Sequence, residues 1–140
     1  RLNMIFEKIN KSNSMSLKIN LKIEKLIKNL DKYIPNNPHP SLLHGDLWSG
    51  NILFNNCELI ALIDPGPFFG HNEMEIAYLR WFNPNYINKN FINIYSEYIP
   101  IEKNYFNYEL IYQLYYSLMN VHLWSRSYIK NCNYLLNKIV

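Results

Sequence analysis

Three polar side chains, Asp46, Asn51 and Asp64, have the types and the spacing that a magnesium-dependent phosphoryl transfer needs. A carboxylate and an amide oxygen are hard ligands that suit Mg²⁺, which keeps its other positions for water and phosphate oxygens. Asn51 and Asp64 are therefore candidate metal ligands. Asp46 precedes Asn51 across a loop flanked by glycines, so it would stand beside the metal without binding it. A carboxylate in that place can orient an acceptor hydroxyl group and take its proton.

A predicted β-hairpin would bring the two candidate ligands to one end of a sheet. Two short apolar runs flank the turn-compatible residues Asn55–Glu58, which is the pattern of two strands and their loop. With that loop and a regular register, Asn51 lies opposite Leu62. Side chains alternate between the two faces of a strand, so Asp64 projects from the same face as Asn51. The expected separation is roughly 7 Å or a little more, which one divalent ion can bridge.

The sequence around Asp46 resembles a known family of small-molecule kinases. Residues 44–51 read His-Gly-Asp-Leu-Trp-Ser-Gly-Asn, which resembles the catalytic loop of aminoglycoside-phosphotransferase-like kinases. The Leu-Trp-Ser-Gly centre resembles the form found in fructosamine (ketosamine) kinases. The similarity is dense from Pro40 to Ala77 and looser elsewhere, and its further segments are Ile63–Pro65, Phe69–His71, Glu73–Ala77 and Tyr112–Tyr115.

This resemblance implies a role for each matching residue. Asp46 would be the catalytic base, and Asn51 and Asp64 would bind Mg²⁺. Trp48 would lie on the acceptor side, where an indole face can stack on a sugar or an amine. Glu75 would accept hydrogen bonds from the catalytic loop and hold it. The implied activity is transfer of the γ-phosphate of ATP to a sugar hydroxyl of a ketoamine or a related small molecule.

Each of these site residues also has a simpler alternative. Trp48 could pack under the loop, and Glu75 could stabilise a helix N-terminus. Asp46, Asn51 and Asp64 could together have a purely structural role. We interpret His44 as a buried, hydrogen-bonded residue that props the loop. Alternatively, His44 could belong to a transition-metal site formed by His39, His44, Asp46 and His71. The spacing of these four residues fits no zinc-binding pattern.

The sequence lacks the parts of a kinase that normally cover ATP and clamp its phosphates, namely a glycine-rich loop and a strand lysine with a glutamate partner. In the resembled family these parts form an N-terminal lobe. The resemblance therefore implies an α+β, mostly helical fold that corresponds to the C-terminal lobe of a protein-kinase-like fold. A small β-hairpin in this lobe would bear the metal site. We expect residues 1–140 to be a single domain that needs an N-terminal lobe from the same longer chain or another chain. A non-catalytic binding module or a decayed relic are the alternatives.

Periodicity and helix-breaking residues place the remaining elements around this centre. The predicted helices are Met15–Tyr33, Glu73–Phe82 with Asn72 as N-cap, Lys89–Tyr98, Tyr105–Leu123 and Tyr128–Val140. An extended linker is predicted at Pro35, Pro38 and Pro40. The buried stripe of the longest helix is predicted at Phe106, Leu110, Leu114, Leu118 and Val121.

Composition narrows the partners and the compartment. Residues 1–32 carry eight Lys and Arg against three Asp and Glu, within a formal charge of +3. No nucleic-acid motif accompanies this excess, so we interpret it as a solvated helix face and expect no nucleic-acid partner. No apolar run could span a bilayer, and the two cysteines have neither disulfide-framework nor metal-site spacing. With no signal-like stretch after Arg1, we expect a cytoplasmic protein without a membrane partner.

Overall fold

The structure, a computed structural model, describes residues 1–12, 15–38 and 40–140. Along these residues run six helices, α1 (Leu2–Asn10), α2 (Leu17–Lys28), α3 (Asn72–Phe82), α4 (Lys89–Ser96), α5 (Tyr105–Leu123) and α6 (Ile129–Ile139). The strands of the same residues are β1 (Pro40–Leu43), β2 (Ile52–Asn55), β3 (Glu58–Leu62) and β4 (Phe68–His71). Single 3₁₀ turns lie at Leu30–Lys32, Ser49–Asn51 and Arg126–Tyr128. The fold is thus mixed and mostly helical, as the sequence predicts.

The described residues form two compact units, and the first, residues 1–36 with 106–140, is helical. In this unit α1 contacts α2, and α2 contacts α6. The buried face of α2 is formed by Ile19, Ile23 and Leu26, at the spacing of an amphipathic helix. The Nζ of Lys22 donates a hydrogen bond of 2.8 Å to Oδ1 of Asn137 on α6. The division at residue 36 falls in the predicted proline linker, and the expectation of a single domain over residues 1–140 stays a prediction.

The second unit, residues 37–105, contains two small antiparallel sheets. In one sheet β1 pairs with β4, with Leu43 opposite Phe68, and helix α3 contacts both strands. The buried side of α3 includes Ile76, Ala77 and Leu79. Because β1 leads directly into residues 44–51, this sheet and α3 position the loop that carries the candidate site. The β4 strand is not among the elements predicted from the sequence.

The second sheet is the predicted hairpin of β2 and β3, but its register differs from the regular one. Phe54 pairs with Leu59, whereas Leu53 pairs with Ala61 and not with Ile60. Ile60 is therefore an extra residue in β3, a β-bulge that shifts all later pairs by one position. The strands meet at a two-residue turn in which Asn56 and Cys57 have φ of 48° and 66°. Positive φ at both central residues is the geometry of a type I′ hairpin turn.

All five predicted helices are present, and four of them differ from the prediction at one or both ends. The longest, α5, has the predicted bounds, while α2, α4 and α6 are shorter than predicted. Asn72 is the first residue of α3 and not its N-cap, because His71 precedes the helix and the Asn72 amide instead donates to the carbonyl of Pro100. Phe106 is 45% exposed and lies outside the buried stripe that it was predicted to begin. Buried tyrosines of α5, including Tyr108 and Tyr112, take up core volume on that helix.

Across the described part of the chain, no helix combines the length and the apolar character that crossing a membrane requires.

Candidate functional site

The candidate site is centred on the carboxylate of Asp46, in the loop between β1 and β2. Its Oδ1 accepts a hydrogen bond of 2.8 Å from the hydroxyl of Tyr78, and its Oδ2 accepts one of 3.2 Å from Nδ2 of Asn51. The same Nδ2 also donates to the backbone carbonyl of Asp46 at 2.9 Å. Each carboxylate oxygen keeps a further lone pair, so the group can still accept a proton from a hydroxyl placed against it.

The backbone of the loop is held by Glu75 from helix α3. One oxygen of its carboxylate accepts a hydrogen bond of 2.8 Å from the amide of Gly45, and the other accepts one of 3.1 Å from the amide of His44. Gly45 has φ of 86°, and a Cβ at this position would overlap the carbonyl oxygen of Gly66. The turn that leads into Asp46 therefore requires glycine, for its conformation and for the close approach of the neighbouring backbone.

His44 lies partly buried beside the backbone of Asp46. The amide of Asp46 donates to Nδ1 of His44 at 3.4 Å, which is long for a hydrogen bond. The other nitrogen, Nε2, is buried, and no described residue is its hydrogen-bond partner. The ring thus lies beside the loop backbone with one polar atom left unpaired, and its role in propping the loop stays a prediction.

Trp48 lies across the loop with part of its indole open to solvent. The side chain is 41% exposed, and a Cβ at Gly50 would overlap the indole ring. Gly50 therefore leaves the space that the ring occupies, and any side chain there would displace it. The exposed part of the indole is available for stacking, since an indole has two apolar faces.

The two predicted metal ligands differ in their surroundings. Asn51 is buried, and both of its side-chain hydrogen bonds are donated by Nδ2, which leaves Oδ1 as an available oxygen ligand. Asp64 is exposed and has φ of 50°, a left-handed conformation that Asp adopts more readily than most residues. In the described residues, no hydrogen bond joins the Asp64 side chain to Asp46 or Asn51.

The register argument that placed Asn51 and Asp64 on one face is wrong. The amide of Ile63 donates to the carbonyl of Asn51 at 3.0 Å, so Asn51 lies opposite Ile63 and not opposite Leu62. The bulge at Ile60 causes this shift. Asn51 also belongs to a 3₁₀ turn and Asp64 itself has a left-handed conformation beyond the end of β3, so the alternation of a regular strand does not apply to either. The donor set of one amide and one carboxylate oxygen still suits Mg²⁺.

The alternative metal site receives no support from the described residues. Among them, no three His, Cys, Asp or Glu side chains are grouped so as to hold a metal ion, while His39 lies outside the described part.

His71 is buried with its Nδ1 3.6 Å from Oε2 of Glu73. Burial lowers the pKa of His71, against the opposite effects of Glu73 and Glu102, so a neutral imidazole faces this carboxylate at neutral pH.

Tyr78 is the site residue that the sequence-based expectations missed. It follows Glu75 by three positions on α3, so both side chains project from the same face of the helix. That spacing was the available signal: Glu75 was expected to contact the loop, so a residue on the same face of α3 could contact the loop as well.

Comparisons with known proteins agree on one family. The sequence profile described as fructosamine kinase matches residues 1–140. A probable ketoamine kinase of Enterococcus faecium is 34% identical over 113 residues, which cover 81% of this chain and 39% of the relative. A probable ketoamine kinase of Lactiplantibacillus plantarum is 39% identical over 89 residues, which cover 64% of this chain and 31% of the relative. A solved structure assigned as a fructosamine-3-kinase of Thermobifida fusca has the same fold, with a TM-score of 0.84 and 24% sequence identity. The match covers 96% of this chain and 46% of the solved chain. The chain spans less than half the length of these proteins.

Proposed function

The chain belongs to the fructosamine kinase family, and on that premise we propose that it forms the acceptor and metal side of an ATP-dependent ketoamine kinase. The observation that carries the proposal is the restrained Asp46 carboxylate, which receives hydrogen bonds from Tyr78 and Asn51 on a loop held by Glu75. A base for phosphoryl transfer needs such restraint, because it must meet the acceptor hydroxyl in one geometry.

In the proposed reaction Asp46 acts on a sugar hydroxyl of the ketoamine. The acceptor oxygen attacks the γ-phosphorus of ATP, and its proton passes to the carboxylate of Asp46. A phosphorus–oxygen bond forms to the sugar while the bond from the γ-phosphorus to the leaving ADP oxygen breaks. The products are a phosphorylated ketoamine and ADP, with the proton held by Asp46 until solvent removes it.

We assign Asn51 and Asp64 as the residues that would hold Mg²⁺. The ion would neutralise charge that develops on the phosphates during transfer. Asn51 would contribute Oδ1, since its Nδ2 is already bonded to Asp46, and Asp64 would contribute a carboxylate oxygen. Asp46 would then be reserved for the acceptor, because each of its oxygens already accepts a hydrogen bond from a protein donor.

Trp48 is the proposed acceptor contact, and Glu75 and His44 are the proposed supports of the loop. The partly exposed indole of Trp48 offers an apolar face to a sugar or to the amine-derived part of a ketoamine. Glu75 binds two successive loop amides, and His44 packs beside the amide of Asp46. Removing Glu75 would leave those amides without their acceptor and would release the loop.

The proposal also requires a partner for this chain. Its 140 residues hold no glycine-rich loop and no strand lysine with which to cover ATP. We propose that an N-terminal lobe, from the same longer chain or from another chain, provides them. Without it the phosphates would lack most of their electrostatic clamp, and turnover would be negligible.

A chimera tests this proposal directly. Residues 1–140 are joined to the part of the Enterococcus faecium relative that its alignment leaves unmatched, and the product is incubated with ATP, Mg²⁺ and a fructose–lysine ketoamine. We expect phosphorylation of the ketoamine by the chimera and no appreciable turnover by residues 1–140 alone. The matched control is the Asp46→Asn chimera. A chimera that binds ATP without transferring phosphate would identify a binding module and overturn the proposal.

A further inference from the structure

Helix α3 contacts the candidate loop through two side chains, and only one of them has an expected role. Glu75 binds the backbone amides of His44 and Gly45, whereas Tyr78 binds the side chain of Asp46. We propose that Tyr78 is a positioning residue that fixes the orientation of the Asp46 carboxylate. The inference deepens the proposed function and rests on it, because it assigns a task to Tyr78 in the transfer that Asp46 would carry out.

The geometry of the two donors explains why both are needed. A carboxylate rotates easily about its last side-chain bond, since that torsion has broad minima. Nδ2 of Asn51 binds Oδ2 at 3.2 Å, and this bond alone would leave Oδ1 free to swing. The Tyr78 hydroxyl binds Oδ1 at 2.8 Å, which is the usual length of an O–H···O hydrogen bond. With one donor at each oxygen, the plane of the carboxylate is set.

The donor itself is held firmly. Tyr78 is only 5% exposed, and its ring meets the ring of Phe82 edge to face at a centroid distance of 5.0 Å. The ring of Trp81 lies 6.4 Å away. A phenol carried on a packed ring has two torsions and little freedom, so its hydroxyl occupies a defined point in the second unit. Helix α3 thus fixes the loop backbone through Glu75 and the loop carboxylate through Tyr78.

The consequence for catalysis is a loss of turnover without a matching loss of nucleotide affinity. Tyr78→Phe keeps the ring but removes the donor, so Oδ1 can rotate away from the acceptor hydroxyl. Misplacement of a reacting group by about 1 Å can cost roughly 100-fold in rate, and partial misplacement should cost less. We expect kcat to fall roughly 10-fold in Tyr78→Phe, with the KM for ATP within about twofold of the parent value.

A kinetic double-mutant cycle tests whether Tyr78 acts through Asp46. The variants are Tyr78→Phe, Asp46→Ala and the double variant, in the form of the protein that phosphorylates the ketoamine. Tyr95→Phe is the matched control, because its hydroxyl bonds to Asn72 and not to Asp46. We expect Tyr78→Phe to lower kcat in the parent and to change it little when Asp46 is already Ala. The same factor in both backgrounds, or an equal loss in Tyr95→Phe, would overturn the inference.

A second double-mutant cycle, in which the thermal unfolding of the full chain is measured, tests the hydrogen bond between Tyr78 and Asp46 without any enzyme assay. Loss of a hydrogen bond to a charged group should lower the unfolding midpoint of Tyr78→Phe by roughly 5–10 °C in the parent. In the Asp46→Ala background the same substitution should produce almost no further shift. Additive shifts would refute the restraint of Asp46 by Tyr78. If the shifts are coupled but the parent transfers no phosphate, the proposed function fails while the contact stands.

Discussion

The two units of this chain obtain their structure in different ways. Residues 1–36 and 106–140 contribute side chains with almost no exposed surface, among them Ile23, Leu26, Leu114 and Leu118. Among the described residues 37–105, fewer side chains have no exposed surface, and one of them is the ionisable Glu73. Complete burial of apolar side chains is therefore more frequent in the first unit, while the hydrogen bonds of Asp46 and Glu75 hold the loop of the second unit.

The difference extends to the hairpin of the second unit. Phe54, Leu59 and Ile60 are 64%, 58% and 59% exposed, although their types would suit a core. The loop of residues 44–51, two left-handed hairpin residues and the left-handed Asp64 belong to this same unit. Two of the residues with positive φ, Gly45 and Asp64, lie next to Asp46 in sequence or among the candidate metal ligands, whereas Asn56 and Cys57 form the hairpin turn at the other end of the strands. Substitution of the exposed apolar residues of the hairpin should therefore change stability little, whereas substitution of the fully buried apolar residues of the first unit should lower it.

The largest expected effect is on turnover, at Asp46. Asp46→Asn keeps the shape of the side chain but removes its charge and basicity, so kcat should fall about 10²–10⁴-fold with little change in affinity for Mg·ATP. Asp64→Asn should impair both nucleotide binding and turnover, because it weakens the proposed metal site. Steady-state kinetics and nucleotide titration of the active protein measure the contrast. The assigned roles would be wrong if Asp46→Asn weakened nucleotide binding as much as Asp64→Asn does.

The next effect is on stability, and it compares one leucine from each unit. Leu118 has no exposed surface on α5, whereas Leu59 is 58% exposed on β3. Leu118→Ala should lower the free energy of unfolding by about 2–5 kcal/mol, because it removes buried methyl groups and leaves a cavity. Leu59→Ala should change it by less than about 0.5 kcal/mol. Denaturant unfolding measures both, and similar losses would contradict the division of roles between the units.

A smaller effect is expected from glycine in the loop. Gly45→Ala should destabilise the second unit by about 1–3 kcal/mol, because its φ of 86° is unfavourable for alanine and the new Cβ would overlap the carbonyl of Gly66. Gly66→Ala is the matched control, since a Cβ there would meet no atom within 4 Å. Hydrogen exchange of the loop amides should increase in the first variant only. Equal tolerance of both alanines would show that the Gly45 turn is not required.

The sequence predicted what local patterns determine. Helix α5 has the predicted bounds because Pro100 before it and the polar residues 125–127 after it separate it from the neighbouring helices. The hairpin was predicted because Asn55–Glu58 lies between two apolar runs. Asp46 and Asn51 could be paired as neighbours because five positions across a tight loop bring two side chains together, and the structure joins them by a hydrogen bond.

The remainder depends on contacts between distant segments. The pairing of β1 with β4 joins strands that are separated by the whole hairpin, and neither strand is long enough to show a period. The bulge at Ile60 lies in a continuous apolar run, where no alternation marks the register. Asn72 looks like an N-cap by type, but its amide finds the carbonyl of Pro100 instead. The hydrogen bond from the Tyr78 hydroxyl to Asp46 likewise depends on the packing of α3 against β1 and β4.

The smallest expected effect is a pH dependence that distinguishes the two cysteines. Burial raises the pKa of the Cys132 thiol from its ordinary value of 9.0 to about 11, against a smaller lowering effect of its hydrogen bond with Ser117, whereas Cys57 is exposed in the hairpin turn. Between these values the unfolded chain has lost the thiol proton while the folded chain retains it. This contribution to stability is therefore present below about pH 9 and is lost as the pH rises toward 11.

Replacing each cysteine by serine removes the titrating group at one site only. From about pH 8.5 to 10, the free energy of unfolding of the parent should fall by roughly 1 kcal/mol more than that of Cys132→Ser. Cys57→Ser is the matched control, because it makes the same substitution at the exposed cysteine. Urea unfolding at several pH values gives the three slopes. A Cys132→Ser slope equal to that of the parent would mean that this thiol is not held in the apolar interior of the first unit.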